Sequence, residues 1–228
     1  MSGSEGSSGS PAFNAAHAKN YADGPKRQVP GFADLQRMTS LLLAERVGPI
    51  GQILVLGAGG GLELKFLADE QPGWSFTGID PSADMLRVAE ETVGPHSARV
   101  SLVEGYIDAA PEGPFDGATC LLTLHFVPRG QRLAMLQEVH HRLPPGAPFV
   151  VAHISFPQTE PERSQWIARH VAFGRPDPGQ VDAAKQAIGT RLSILSPEDD
   201  EAMLREAGFS GVSLFYAALS FKGWVAYA

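Results

Sequence analysis

The stretch LVLGAGGGLE, Leu54 to Glu63, sets four glycines, Gly57, Gly59, Gly60 and Gly61, within five residues directly after an apolar run. Glycine admits positive φ and lets a ligand touch the backbone, and the amides of a helix N-terminus favour an anion or the polar edge of a ligand. Asp80 follows 19 residues after Gly61, at the end of a second β-like run. A carboxylate placed there can accept both hydroxyls of a ribose. A dinucleotide fingerprint needs Gly, one residue, Gly, two residues, then Gly or Ala. Counted from Gly57 the sixth position is Leu62, and counted from Gly59 it is Leu64, so neither fits. A phosphate loop needs Gly-Lys-Ser/Thr, and Lys65 comes late and is followed by Phe66. Loop and acid together suit a nucleoside without a diphosphate. Gly57, Ala58, Gly59, Gly61, Asp80 and the adjoining Pro81 form the candidate binding surface. Met85 and the Tyr106–Ile107 turn stand where an adenine would pack, although Met85 alone serves a core equally well. Leu121, at the end of the fourth β-like run, borders the same edge.

The elements that must position these residues alternate. ILVLG (Ile53 to Gly57) and SFTGID (Ser75 to Asp80) read as strands, and LELKFLADE and SADMLRVAEETV as helices, the latter with Ser82 as N-cap. ARVSLVEG, FDGATCLLT and APFVVAHIS continue the strands, and RGQRLAMLQEVHHRL is a helix stopped by PPG. Strand and helix in strict succession mean parallel strands joined by helical crossovers, hence an open, doubly wound, Rossmann-like α/β sheet with helices on both faces. The pattern breaks after Phe156. Residues 157–195 show two helical pieces around a Pro/Gly break and no strand, which predicts a helical lid over the sheet edge. SPEDDEAMLREAGF then carries Ser196 as N-cap and Pro197 at its first helical position, and VSLFYAALSFKGWVAYA offers two final strands as an antiparallel edge pair. The expected organisation is a flexible Gly/Ser-rich tail over residues 1–11, a helical cap over 12–48 and one α/β domain over 49–228.

Length and composition bound the function. At 228 residues the chain holds one substantial core. Its net charge of −7 and scattered Lys and Arg disfavour nucleic acid as the main partner. The expected partner is a small-molecule substrate, with a homodimer as the oligomeric form to test. A lone cysteine, Cys120, excludes an intrachain disulfide and a thiolate zinc site, and fits a reducing cytoplasm. No apolar run spans a bilayer, and the first residues do not read as a secretion signal.

Taken together, ILVLGAGGG, GIDPSADML, FDGATCLLTLHFV, LPPGAPFVVAHIS and LREAGF resemble the class I S-adenosylmethionine-dependent methyltransferases, over roughly Ile53 to Ser155 and from Pro197 onward. The resemblance implies a seven-stranded sheet with its last strand antiparallel, and S-adenosylmethionine across the tips of the first four strands. Two positions depart from the family. Its acid two places before the first loop glycine is Val55 here, which removes a carboxylate that would order the loop. Its acid after the third strand, at the adenine amino group, is Tyr106. RQVPGFADLQRMTSLLLAER and TLHFVPRGQRLAML are further similar to the branch containing carboxy-S-adenosylmethionine synthase. That branch places an Arg in the inserted helices against the extra carboxylate of its cofactor. In AKQAIGTRLSIL, Gln186 stands about there, and Arg191 lies five residues on.

Methyl transfer from a sulfonium leaves the protein to align and desolvate. Where the acceptor is a hydroxyl or amine a general base helps, and His125 and His153, after the fourth and fifth strands, are the candidates. Tyr21 and Arg27 would close over the cofactor, the Arg near its methionine carboxylate. The leading reading is a small-molecule methyltransferase. A carboxy-S-adenosylmethionine synthase-like enzyme and a cofactor-binding protein without catalysis are the alternatives.

Overall fold

The computed structural model describes residues 24–228. Its sheet has seven strands: β1 (Gly51–Leu56), β2 (Trp74–Asp80), β3 (Val100–Glu104), β4 (Gly117–Leu121), β5 (Pro148–Ile154), β6 (Ser210–Ala218) and β7 (Phe221–Tyr227). They lie in the order β3-β2-β1-β4-β5-β7-β6. β1 pairs in parallel with both β2 and β4, so the chain reverses its direction of winding beside β1. That reversal leaves a crevice at the carboxyl ends of the strands, where ligands of open α/β sheets bind. The last two strands form the expected antiparallel pair, but β7, not β6, is inserted next to β5, in register from Pro148↔Tyr227 to Ile154↔Phe221.

Both faces of the sheet are covered, which explains the unbroken apolar runs of β4 and β5: every residue of each is buried. Val55, Val150, Ala152 and Ile154 belong to one core and Leu54, Phe149, Val151 and Trp224 to the other. The preceding helices are α1 (Gly24–Gln28) and α2 (Phe32–Ala44), and α2 packs against β5. Between strands run α3 (Leu62–Glu70), α4 (Ala83–Val93) and α5 (Arg129–His141). The Ser82 hydroxyl caps α4 by accepting from the Met85 amide at 3.3 Å. After β5 the chain leaves the sheet for α6 (Glu162–Gly174) and α7 (Val181–Arg191) and returns at Leu195, whose carbonyl accepts from the Phe156 amide at 3.1 Å. α8 (Pro197–Glu206) follows, with Ser196 accepting from the Asp199 amide and Pro197 opening its first turn. Among the described residues no helix is long and apolar enough to cross a membrane.

Candidate functional site

The glycine loop joins the tip of β1 to the start of α3. The Gly57 and Ala58 amides donate to the Ile79 carbonyl at 2.8 and 2.9 Å, which pins the loop to the tip of β2. One residue on, the Asp80 carboxylate spans loop and helix: Oδ2 accepts from the Gly59 amide and Oδ1 from the Ser82 amide, each at 2.9 Å. Burial pushes the Asp80 pKa above the ordinary value, against the lowering effect of the Ser82 and Gly59 amides. The carboxyl therefore stands at the β2 tip in a fixed orientation.

The reason for two of the glycines lies in the protein itself. A Cβ on Gly57 (φ +71°) would sit 2.0 Å from the Thr123 hydroxyl oxygen, and one on Gly61 (φ +79°) 2.9 Å from the Ala89 Cα. Gly57 thus admits the segment after β4, and Gly61 lets α3 lie against α4. That segment is itself unusual. Leu122 holds a left-handed backbone at φ 58°, its amide bonded to the Ala152 carbonyl, while the Thr123 hydroxyl donates to the Leu121 carbonyl at 3.0 Å. A non-glycine residue in that conformation is strained, and such strain gathers at ligand sites.

Glu63 is the residue that the sequence reading passed over. It shares the buried face of α3 with Leu64, Leu67 and Ala68, and only 9% of it is exposed. Its spacing carried the signal, because a residue four places before Leu67 lies on the core-facing stripe. Burial raises its carboxyl to about 7, from an ordinary value of 4.5. The polar neighbour is Thr119 of β4, which pairs in the sheet with Val55. No hydrogen bond of acceptable geometry joins them: Glu63 Oε1 and Thr119 Oγ1 are both buried and without a partner among the described residues.

The remaining expectations fare unevenly. Leu121 is buried at the β4 tip, Pro81 is exposed beside Asp80, and Ile107 is half-buried. Met85, read as an adenine wall, is a core residue at 1% exposure, because it lies on the sheet-facing stripe of α4. Tyr106 is 69% exposed, at the start of a short 3-10 turn over Ile107–Ala109 that also carries the acid Asp108. Arg27 gathers with Arg169 and Arg175 of the inserted helices, with Phe173 and with Leu219, around an open cavity of about 800 Å³. Tyr21 lies outside the described residues.

The two histidines are placed unlike general bases. His153, expected to face an acceptor, shares the β5 face of Phe149 and Val151 and is fully buried beneath α5 and α8. Its Nε2 lies 3.1 Å from Asp200 Oδ2, Asp200 Oδ1 lies 3.4 Å from Arg132 Nη1, and Arg132 also donates to the Ser193 carbonyl. With the Trp224 ring 5.4 Å away, His153 belongs to a buried ionic cluster that ties β5, α5 and α8 together. His125 is 4% exposed, and its Nδ1 accepts from the Ile154 amide at 3.4 Å. Burial foremost, then the nearby His153, Arg132 and His170, hold its pKa well below the usual imidazole value. It is neutral at physiological pH, with its proton on Nε2.

Comparison with known proteins adds to this geometry. Residues 53–146 match the family model described as a methyltransferase domain. The carboxy-S-adenosyl-L-methionine synthase of Chromohalobacter salexigens is 28% identical over 215 residues, covering 91% of this chain and 79% of that protein. Among solved structures, a SAM-dependent methyltransferase from Aquifex aeolicus superimposes with a TM-score of 0.65 at 16% identity, covering 94% of this chain and 98% of that one. Human N-acetylserotonin methyltransferase, solved in complex with SAM, gives a TM-score of 0.65 at 16% identity. The chain spans 56% of the length of the human enzyme.

Proposed function

We propose that this chain, a class I S-adenosylmethionine-dependent methyltransferase by domain and fold that lies near the carboxy-S-adenosylmethionine synthase branch, transfers a methyl group in line to a small molecule. The observation that carries the reading is the Asp80 carboxylate, fixed by the Gly59 and Ser82 amides at the tip of β2. In that position it accepts from ribose hydroxyls, while the loop from Gly57 to Gly61 lies against the rest of the nucleoside. The residues present suit such a cofactor, since the helix that follows the glycine loop also holds a buried carboxyl oxygen, Glu63 Oε1, without a partner among the described residues. When bound, S-adenosylmethionine supplies an activated methyl group. The protein then has to orient it, exclude water and present the acceptor. Helices α1 and α2 serve as the cap, and α6 and α7, from the 157–195 insertion, as the lid that selects the acceptor. Tyr106 and Ile107 border the adenine, with Asp108 the nearest acid in the same turn. A working compartment in the cytoplasm accords with the single buried thiol, Cys120.

A second reading, a carboxy-S-adenosylmethionine synthase-like enzyme, is supported by the Chromohalobacter salexigens relative, which aligns over most of both chains. Against it, Gln186 and Arg191 are both exposed on α7, where an Arg buried against an extra carboxylate would be wanted. The experiment is mass spectrometry of whatever co-purifies, followed by calorimetry with S-adenosylhomocysteine. The methyltransferase reading expects unmodified or demethylated cofactor and a dissociation constant of about micromolar order. A ligand heavier by one carboxylate selects the second reading, and no binding to folded protein removes both.

A further inference from the structure

Val55 occupies the place of the acid that the related methyltransferases carry two residues before the glycine loop, yet the fold brings a carboxyl back to the same spot from another element. Glu63 projects from the first turn of α3 onto β4, where Thr119 is the direct sheet partner of Val55. The carboxyl therefore sits over the pair of strands at which the family acid would stand, two residues after the last loop glycine. It is buried, its Oε1 has no partner among the described residues, and the neighbouring Thr119 hydroxyl is unpartnered as well. Leaving such groups unsatisfied costs free energy unless something satisfies them. A hydrogen-bond donor satisfies such a carboxyl, and a cationic donor satisfies it most strongly in its ionised form.

We propose that Glu63 is the positioning residue for the cationic methionine segment of the cofactor, replacing from α3 the carboxylate that β1 lacks at Val55. The inference rests on the S-adenosylmethionine reading above. It gives the orphaned Glu63 oxygen its partner, and it keeps the glycine loop ordered on its α3 side as Asp80 does on its β2 side.

The electrostatics of the pocket make this interaction readable. From β4 the group that faces Glu63 is Thr119; the adjoining Cys120 points into the core on the other face of the sheet, and its thiol, pushed up to about 12, stays neutral. The buried polar residues of α2, Gln36, Thr39 and Ser40, carry no charge. On α3 itself Lys65 is paired with Asp69 at the surface, and on β2 Asp80 is held by two amides. Arg132 stands on the opposite face of the sheet, in the cluster with Asp200. No fixed charge therefore keeps Glu63 ionised, and the carboxyl is about half protonated near pH 7. A cation binding beside it selects the ionised form and expels the proton.

The test is calorimetry of S-adenosylmethionine and S-adenosylhomocysteine binding to wild type, Glu63→Gln and Glu63→Asp, in buffers of different ionisation enthalpy from pH 6 to pH 8.5. Wild type is expected to release about half a proton per site at pH 7 and close to none at pH 8.5, and to bind about tenfold more weakly at pH 6 than at pH 8. Glu63→Gln should lose the proton release and weaken binding about 10- to 100-fold. Glu63→Asp, keeping the charge, should recover part of it. Equal losses for the two ligands assign the ammonium group as the partner, and a loss confined to S-adenosylmethionine assigns the sulfonium. Thermal unfolding confirms that the variants fold. Wild-type and Glu63→Gln proteins with the same affinity and the same proton release overturn the inference while leaving the cofactor reading intact. Absence of binding to wild type defeats the cofactor reading itself.

Discussion

Replacing Asp80 by Ala tests the ribose assignment and the loop architecture at once. In the structure the carboxylate accepts two backbone hydrogen bonds at 2.9 Å, from Gly59 and Ser82. Each is charge-assisted, and such bonds contribute about 1.5–3 kcal/mol each. Losing the acceptor for the ribose hydroxyls should cost about 2–4 kcal/mol of binding, or roughly 30- to 1000-fold in dissociation constant. The loop, released from Gly59, also has to be ordered at the moment of binding, which adds to the loss. Calorimetry with S-adenosylhomocysteine measures the total. A second titration with an analogue lacking the ribose 2′ and 3′ hydroxyls separates the two parts, because Asp80→Ala should weaken the analogue only by the loop contribution. Acid supplies a further arm. Burial raises the Asp80 pKa, so wild-type binding should begin to fall, as pH is lowered, above the pH at which an ordinary aspartate protonates. Unchanged affinity of Asp80→Ala for both ligands would refute the placement of the ribose at β2.

Two stability predictions follow from buried charge. Glu63 binds its proton more tightly folded, at about 7, than the ordinary value of 4.5, so the folded state holds more protons across that window. Stability of the ligand-free protein should therefore fall by about 3 kcal/mol as pH rises from 4.5 to 7. Urea midpoints should show Glu63→Gln without that component of the slope and more stable than wild type at pH 8; a steeper slope in the variant would contradict the argument. In the second core, Asp200→Ala leaves the fully buried Arg132 without its carboxylate and His153 without its neighbour. The cost should be about 3–5 kcal/mol by denaturant unfolding, and a loss below about 1 kcal/mol would mean that the Arg132 bonds to backbone carbonyls suffice.

Strand identities were legible because burial on both faces leaves continuous apolar runs, as in ILVLG and FVVAHI, and helix starts because Ser82 and Ser196 announce them. Strand order was less so. Nothing in the periodicity of FKGWVAY says that it enters between β5 and β6, since a hydrogen-bond partner is chosen by the sheet edge available and not by the pattern within the strand. Asp80 could be read from its position at a strand end. Glu63 was harder to read: its spacing from Leu67 sets it on the core-facing stripe, but an acid in the first turn of a helix also reads as a surface partner of the helix dipole. His153 was misread for a reason of parity. A residue near a strand tip has two faces open to it, and the face of Phe149 and Val151 is closed by α5 and α8.

Under the proposed function, the placement of the histidines bears on which acceptor can be methylated. His153 is sealed in an ionic cluster, and His125, neutral with Nδ1 bonded to the Ile154 amide, offers an N–H and not a lone pair from its other nitrogen. His170 bonds the Ser220 hydroxyl at 2.7 Å, and burial holds it down at about 4. A general base is most effective when its pKa lies near the working pH and it can reach the acceptor; burial holds His125 and His170 below that range, and His153 is shut away from any acceptor beside Asp200. A hydroxyl acceptor would need its proton taken by some other group. An acceptor that is already nucleophilic at neutral pH, such as a carboxylate, a thiolate or an unprotonated nitrogen, needs only alignment with the methyl group and the exclusion of water. On the proposed reading those two things come from the loop held by Asp80 and from α6 and α7 as the lid. An acceptor of that second kind is therefore the better match to the chemistry that these residues can perform.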